Sequence, residues 1–345
     1  MNKILTLFIL FAAPVISAQT FSGPESVEYD AAAQRWIVGN NTAGTVVKYH
    51  PQTSTVTPFA SGLPSGPHGI EVLNGVVYVC DGARVKGYDA VTGTMVFNAN
   101  LGATFLNGIT SDGSAWLFVT DFTAKNIYRL NPADSSFNVM VTTLKTPNGI
   151  YYDGANNRCV FVTWGSAAPV QAMSLADSTI STLMNTSLSN CDGITRDLNG
   201  NWYVTAWGNQ SLMQFDPFFA GMPIPVMTGL SSPADIDINT TGDSIGIPNS
   251  GNNTVVFYVV PGAVGISAAD PVNVNVFASG QSIFVNAEVL SGTVEIFTID
   301  GKLIRSTPLN GAMEISGLNS AVYLVQVKNE KGHAVFDRKV TVTGK

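Results

Sequence analysis

Nowhere does this chain run long enough in apolar residues to span a bilayer. Its longest such stretch, residues 4–16, falls short of the ~20 residues a spanning helix needs. Charge is scarce as well: 12% of residues are Asp, Glu, Lys or Arg, and the net charge of −7 comes with no basic cluster. Nucleic acid is therefore not an expected partner, because binding it depends on Lys and Arg contacts to phosphate. Cysteine is limited to Cys80, Cys159 and Cys191. Three cysteines cannot all pair within one chain, and no CxxC pair offers a metal knuckle. Buried free thiols are the expected state, with a Cys159–Cys191 disulfide as the alternative after export. Helical patterning is missing too, since no segment keeps an apolar period of 3.6 over three turns. There is no GxSxG elbow, no phosphate-cradling glycine loop and no HExxH.

What is present starts with Lys3, the apolar run 4–16 and the small pair Ser17 and Ala18. That is the layout of a secretory signal peptide over residues 1–18, so a secreted or cell-surface protein is expected. Glycine is abundant, and Val, Thr, Ile and aromatic residues recur in short alternating runs. This composition predicts an all-β fold.

One short pattern recurs: "SGPHGIEV", "FLNGITSD", "TPNGIYYD" and "NCDGITRD" each place a polar residue before Gly-Ile. Aligned on Val27, Ile70, Ile109, Ile150, Ile194 and Ile236, the units repeat about every 40 residues, the period of a propeller blade. A turn follows, Asp-Gly or Asn-Gly at residues 112–114, 153–156 and 199–201, then a second strand such as "AWLFVTD" or "RCVFVTW". A third strand tends to end at Pro, as in "IYRLNP" and "LMQFDP", and a fourth closes the unit. Six such units predict a six-bladed β-propeller over residues 19–262. The sixth unit has no fourth strand of its own, and residues 19–23 are expected to supply it. From Pro271 a different pattern of short strands begins, which predicts a small C-terminal β-sandwich within residues 263–345.

In a propeller the first strand of each blade lines the central channel, so the position before Gly-Ile forms a ring at one mouth. Its members are Glu25, His68, Asn107, Asn148, Asp192 and Ala234, the last followed by Asp235. Glycine permits close backbone approach. The residue before it can then be chosen for the shared cavity. Taken singly, Asn or Asp before Gly is an ordinary turn residue. Together, two carboxylates, two amides and an imidazole cost desolvation unless a cation sits among them. Oxygen donors favour a hard divalent ion, Ca²⁺ first, then Mg²⁺, whereas Zn²⁺ would want more His or Cys. Loops on the same face add Asp81, Arg84, Asp121, Lys125, Trp164 and Trp207. Arg84 is a candidate for steadying developing negative charge. The two tryptophans are candidates for a sugar platform or for packing between blades.

These residues resemble the gluconolactonases and the related regucalcin (senescence-marker) proteins. The resemblance implies a six-bladed propeller holding one divalent cation through Glu25, Asn148 and Asp192. Glu25-Ser26-Val27 stands where the family carries Glu, Gly or Ser, and Pro. Asn148-Gly149 matches its Asn-Gly motif, and Asp192-Gly193 its Pro-Asp-Gly motif, with Cys191 in place of Pro. Asn107 corresponds to an Asn that touches substrate, and Asp192 would also serve as general base. The implied activity is hydrolysis of a sugar lactone. Two other readings stand beside it: a non-catalytic secreted propeller binding a glycan, peptide or surface partner, and a propeller lyase that would use His68. The tail resembles the C-terminal sorting domain of type IX secretion cargo. Its marks are Val294, Glu295, Ile296 and Phe297 before Asp300-Gly301-Lys302, then Ile315 and Leu318, then Val322-Tyr323-Leu324-Val325, then Lys339-Val340. This implies export through the periplasm, with the type IX machinery as a partner.

Overall fold

The computed structural model describes residues 21–51, 53–261, 274–299, 301–329 and 334–343. The leader expected at 1–18, residues 19 and 20, the linker up to 273 and Asp300 lie outside the described residues. The chain divides into two compact units, Met1–Pro261 and Gly262–Lys345. Among the described residues the regular structure is β throughout, apart from one 3₁₀ turn at Gly154–Asn156, and no helix is long and apolar enough to cross a membrane.

The first unit is a succession of antiparallel sheets. Five have four strands in simple meander order, with inner strands Pro24–Asp30, Ile70–Leu73, Leu106–Ser111, Thr146–Asp153 and Cys191–Arg196. The sixth, Asp237–Ile238, Ser244–Asn249 and Thr254–Val259, has three. Local chemistry sets the hairpins: Asn74 (φ 50°) and Gly75 (φ 76°) join Ile70–Leu73 to Val76–Asp81 with the left-handed pair a two-residue turn requires.

Burial grades outward along each sheet. The second strand Arg35–Asn40 is buried along its whole length, while Phe137–Thr142, the fourth strand of the third sheet, is mostly exposed. Second strands are covered on both faces because each sheet packs against both neighbours. The resulting clusters each join two adjacent sheets, as Phe118, Ile127, Ile150, Phe161 and Met173 do for the third and fourth. This is the propeller solution, in which radial packing leaves only short edges.

The last sheet packs against the first. Asp235 N–H donates to Glu25 O (3.0 Å), and Val27 N–H to Asp235 O (3.3 Å). Farther out, Phe257 packs on Trp36 (centroids 5.3 Å apart) and stacks on Tyr49 (5.7 Å). Residues 21–23 form no strand. Instead Gly23 N–H donates to Asn253 Oδ1 (2.6 Å), and Phe21 joins the apolar cluster that holds Val255 and Phe257. The start of the described chain is thus tied to the sixth sheet through a side-chain bond and packing, and among the described residues that sheet keeps three strands.

In the second unit, pairing joins all five strands into one antiparallel sheet. Its long strand Ser282–Thr298 pairs with Val274–Ser279, Leu303–Ile315 and Ala321–Asn329. Val276, Val285, Val294, Ile296, Val325 and Val327 form its core.

Cys80, Cys159 and Cys191 are all buried and unpaired, so the Cys159–Cys191 bridge is not formed. Each belongs to an apolar cluster between two adjacent sheets, where a thiol packs as a small hydrophobe.

Candidate functional site

The glycines of the repeated motif show how the ring is built. A Cβ on Gly69 would stand 2.3 Å from Asn107 O, one on Gly108 2.5 Å from Asn148 O, and one on Gly149 2.3 Å from Asp192 O. A Cβ on Gly193 would meet Asp235 Cα at 2.7 Å. Real Cβ atoms do not approach so closely, so each glycine is needed to let one inner strand lie against the next. The residues before glycine are thereby set side by side in chain order.

Threonines lock the same contacts. Thr120 Oγ1 donates to Asn148 O and accepts from Gly108 N–H (both 2.8 Å), and Thr205 Oγ1 does likewise between Ala234 O and Gly193 N–H (both 2.8 Å). The first and sixth sheets depart from this rule. Ser26 and Asp235 occupy the glycine positions and face each other, Ser26 Oγ donating to Asp235 Oδ2 (3.4 Å).

Among the sequence candidates, Asp192 feels the charge of Glu25 and has the Asn148 amide beside it. Asp192 is 2% exposed. Burial, then the charges of Glu25 and Asp235, hold its carboxyl well above the usual range. Burial likewise pushes Glu25 up to about 7, opposed by a hydrogen bond from Ser250. Asn148 Nδ2 donates to Cys191 O (3.2 Å), while its Oδ1 is buried with no partner. The Asn148 amide and the Trp207 indole N–H both lie close enough to Asp192 to favour its charged form. The indole nevertheless completes no hydrogen bond of full geometry.

Asn107 is buried in the same ring, its carbonyl accepting from Gly69 N–H (2.7 Å). His68 receives a hydrogen bond at Nε2 from Asn41 Nδ2 (3.0 Å). An amide nitrogen only donates, so the neutral ring carries its proton on Nδ1, which is buried and unpartnered. Burial pushes His68 down to about 4, so it is neutral near pH 7.

Other candidates have structural work or lie apart. Asp121 accepts from Thr104 N–H (2.7 Å) and Phe105 N–H (3.1 Å), fixing the incoming loop of its own sheet. Asp81 does the same for Ser65 N–H (2.8 Å) and pairs with Lys86 (2.6 Å). Lys125 Nζ donates to Leu144 O (3.3 Å). Arg84 is exposed and donates to Asn98 Oδ1 (3.0 Å) on the outer strand of its own sheet. Trp164 and Trp207 are half-buried and meet edge to face, 5.4 Å apart at 71°.

Sequence reasoning missed a second acidic group. A cavity of about 220 Å³ is lined by Glu28, Glu71, Asp235 and Asp237 together with Thr110 and Tyr151. Burial pushes Glu71 and Asp235 up to about 8 and Asp237 to about 6. Three of these carboxylates also bond the next sheet's inner strand. Val72 N–H donates to Glu28 Oε1 (3.2 Å), Ser111 Oγ to Glu71 Oε1 (2.6 Å) and Tyr29 N–H to Asp237 Oδ2 (2.9 Å). The signal was in the repeat: Glu28, Glu71 and Asp237 each follow the Val or Ile on which the units align.

Among the described residues, no three His, Cys, Asp or Glu side chains form a group able to hold a metal ion. The Glu25–Asn148–Asp192 set contains two acids and an amide, and its chemistry does suit a hard cation. It offers oxygen donors, an orphaned buried amide oxygen, and two carboxyls that resist ionising beside each other.

No known protein family's profile matches the chain, and no curated protein is similar to it in sequence. Solved structures share its fold. A gluconolactonase of Xanthomonas campestris superposes with a TM-score of 0.59 at 15% identity, covering 70% of this chain and 87% of that one. A luciferin-regenerating enzyme gives 0.57 at 15% identity, covering 70% and 93%. A chain of the nidogen/laminin complex gives 0.57 at 16% identity, covering 65% and 89%. At these identities the likeness shows the repeated-sheet propeller fold.

Proposed function

We propose that the first unit is a six-bladed propeller acting as a divalent-cation-dependent lactone hydrolase, with its site at the mouth formed by Glu25, Asn148 and Asp192. The observation that carries this reading is the buried, unpartnered Asn148 Oδ1 beside two carboxyls that burial disfavours as anions. Two of the proteins sharing the fold are enzymes, one a gluconolactonase, which supports the class of reaction.

Glu25, Asn148 and Asp192 would hold the ion, Ca²⁺ or Mg²⁺ by donor type. When bound, it supplies Lewis-acid polarisation of the ester carbonyl. Asp192 would take a proton from an attacking water, the general-base role that the resemblance to gluconolactonases implies. The Asn107 amide N–H and the Nδ1–H of neutral His68 would donate hydrogen bonds to the substrate's ring and carbonyl oxygens. The tail's ordered motifs support a sorting role for residues 263–345 and a surface or secreted location.

Calorimetry of the full chain with Ca²⁺, Mg²⁺ and Zn²⁺, wild type against Asn148→Ala and Asp192→Asn, followed by a lactone panel, tests the reading. Cation binding lost in both variants together with turnover in the wild type is the expected result. Binding without turnover would move the protein to the non-catalytic class, and no binding would remove the hydrolase.

A further inference from the structure

Five half-buried aromatic side chains form a continuous band across the loops of the second to fifth sheets. His68 meets Phe105 at 4.5 Å and 87°, Phe105 meets Phe122 at 5.6 Å and 75°, and Phe122 meets Trp164 at 5.7 Å and 63°. Trp164 meets Trp207 at 5.4 Å and 71°. The band runs beside the candidate site at both ends. His68 immediately precedes Gly69, whose amide is bonded to Asn107, and the Trp207 indole faces Asp192.

The rest of the mouth is of opposite character. In the first and sixth sheets, the loops that carry Phe122 and Trp207 elsewhere carry Asn41 and Ser250. Asn41 is bonded to His68, and Ser250 to Glu25. The loops of the first and sixth sheets at the mouth are thus polar, and those of the second to fifth carry the aromatic band.

This asymmetry bears on the substrate. A sugar lactone presents hydroxyls around its whole ring, and each must find a partner when water is removed. The band offers two unpartnered polar atoms, His68 Nδ1 and Trp207 Nε1. Its rings meet edge to face, so the two indoles do not form one flat surface for a pyranose ring. Edge-to-face rings do make a notched apolar wall, which suits a further ring inserted among them.

Building on the hydrolase reading, we propose that the Phe105–Phe122–Trp164–Trp207 band is a subsite for an apolar ring carried by the substrate, which is an aryl-substituted lactone and not a polyhydroxylated one. The lactone carbonyl then lies toward Glu25, Asn148 and Asp192, and the aryl group toward Phe122 and Trp164.

The test separates the subsite from the chemistry. 2-Phenyltetrahydrofuran has the aryl ring and the five-membered ring of γ-phenyl-γ-butyrolactone but no carbonyl, so its binding needs neither cation nor catalysis. Titrated into the full chain in the presence of a chelator, it is expected to change tryptophan fluorescence with saturation. Phe122→Ala and Trp164→Ala should weaken that binding about tenfold or more, the scale set by losing apolar contact on one side of a buried ring. Phe122→Leu, which keeps most of the volume and guards against misfolding, should weaken it less. Saturable ether binding without lactone turnover would uphold the subsite and sink the hydrolase. Turnover of γ-phenyl-γ-butyrolactone unaffected by Phe122→Ala would sink the subsite and leave the hydrolase standing. Absence of ether binding, or preference for glucono-1,5-lactone over the phenyl lactone, would also overturn the proposal.

Discussion

Gly149 and Asp192 lie so close that a methyl group on the Gly149 Cα would stand 2.3 Å from the Asp192 carbonyl oxygen. The position of the acid in the fifth sheet is therefore set by the absence of a side chain in the fourth. The same relation links Gly108 to Asn148, so two members of the proposed cation set are placed by glycines that touch no ligand.

Gly149→Ala is accordingly expected to act at a distance. Backbone must move to admit the methyl, at a typical overpacking cost of about 1–3 kcal/mol. A lower Tm together with weaker cation binding checks it. A stability loss with unchanged affinity would mean that the spacing does not position Asp192.

Asp192→Asn should separate stability from binding. Without cation, removing a buried carboxylate that faces Glu25 and Asp235 is expected to raise Tm at pH 7, since burial and those charges oppose its ionisation. With Ca²⁺ at about 100 times Kd, the wild type should gain roughly 2–3 kcal/mol and the variant close to none. Thermal melts in chelator and in Ca²⁺ read both effects.

The cavity carboxylates make stability depend on pH. Glu71 is raised in the folded state from 4.5 to about 8, and Asp237 from 3.8 to about 6. Between the unfolded and folded values the native state binds more protons than the unfolded chain, so stability falls as pH rises. The cation-free protein should melt higher at pH 5 than at pH 8. Glu71→Gln should flatten that slope and raise Tm at pH 8 by roughly 2–4 °C, the shift that about 1 kcal/mol produces in a unit of this size. A slope unchanged by the substitution would show that Glu71 does not titrate in this window.

The thiols should be silent in the native protein. Burial raises all three, Cys191 to about 12, and none is accessible. Ellman's reagent at pH 8 is expected to find no thiol until denaturant is added, and then three. Reaction of the folded protein would contradict the packing.

The repeat was legible because propeller blades are near copies. The second to fifth need Gly at the same close approach, and all six place apolar residues on the same faces, so Val27, Ile70, Ile109, Ile150, Ile194 and Ile236 fall into register in one dimension. The equivalent positions of Glu25, Asn148 and Asp192 in the repeat could be read from that register. Arg84 misled because loop membership says nothing about direction, and its guanidinium turns to Asn98 on its own sheet. Asp81 and Asp121, candidates by their place in loops on the same face, accept from backbone amides of loops that enter their own sheets.

The order of residues by itself determined an all-β fold of repeated units and the polar position before each Gly, because both are local properties of strand alternation and turn chemistry. Only the tertiary structure decided which polar atoms are left without partners and which aromatic rings touch. Phe105 and Phe122 are unremarked loop residues in the chain. They become part of a wall running from His68 to Trp207 because successive sheets are packed side by side, and contact between side chains depends on that packing and not on spacing along the backbone.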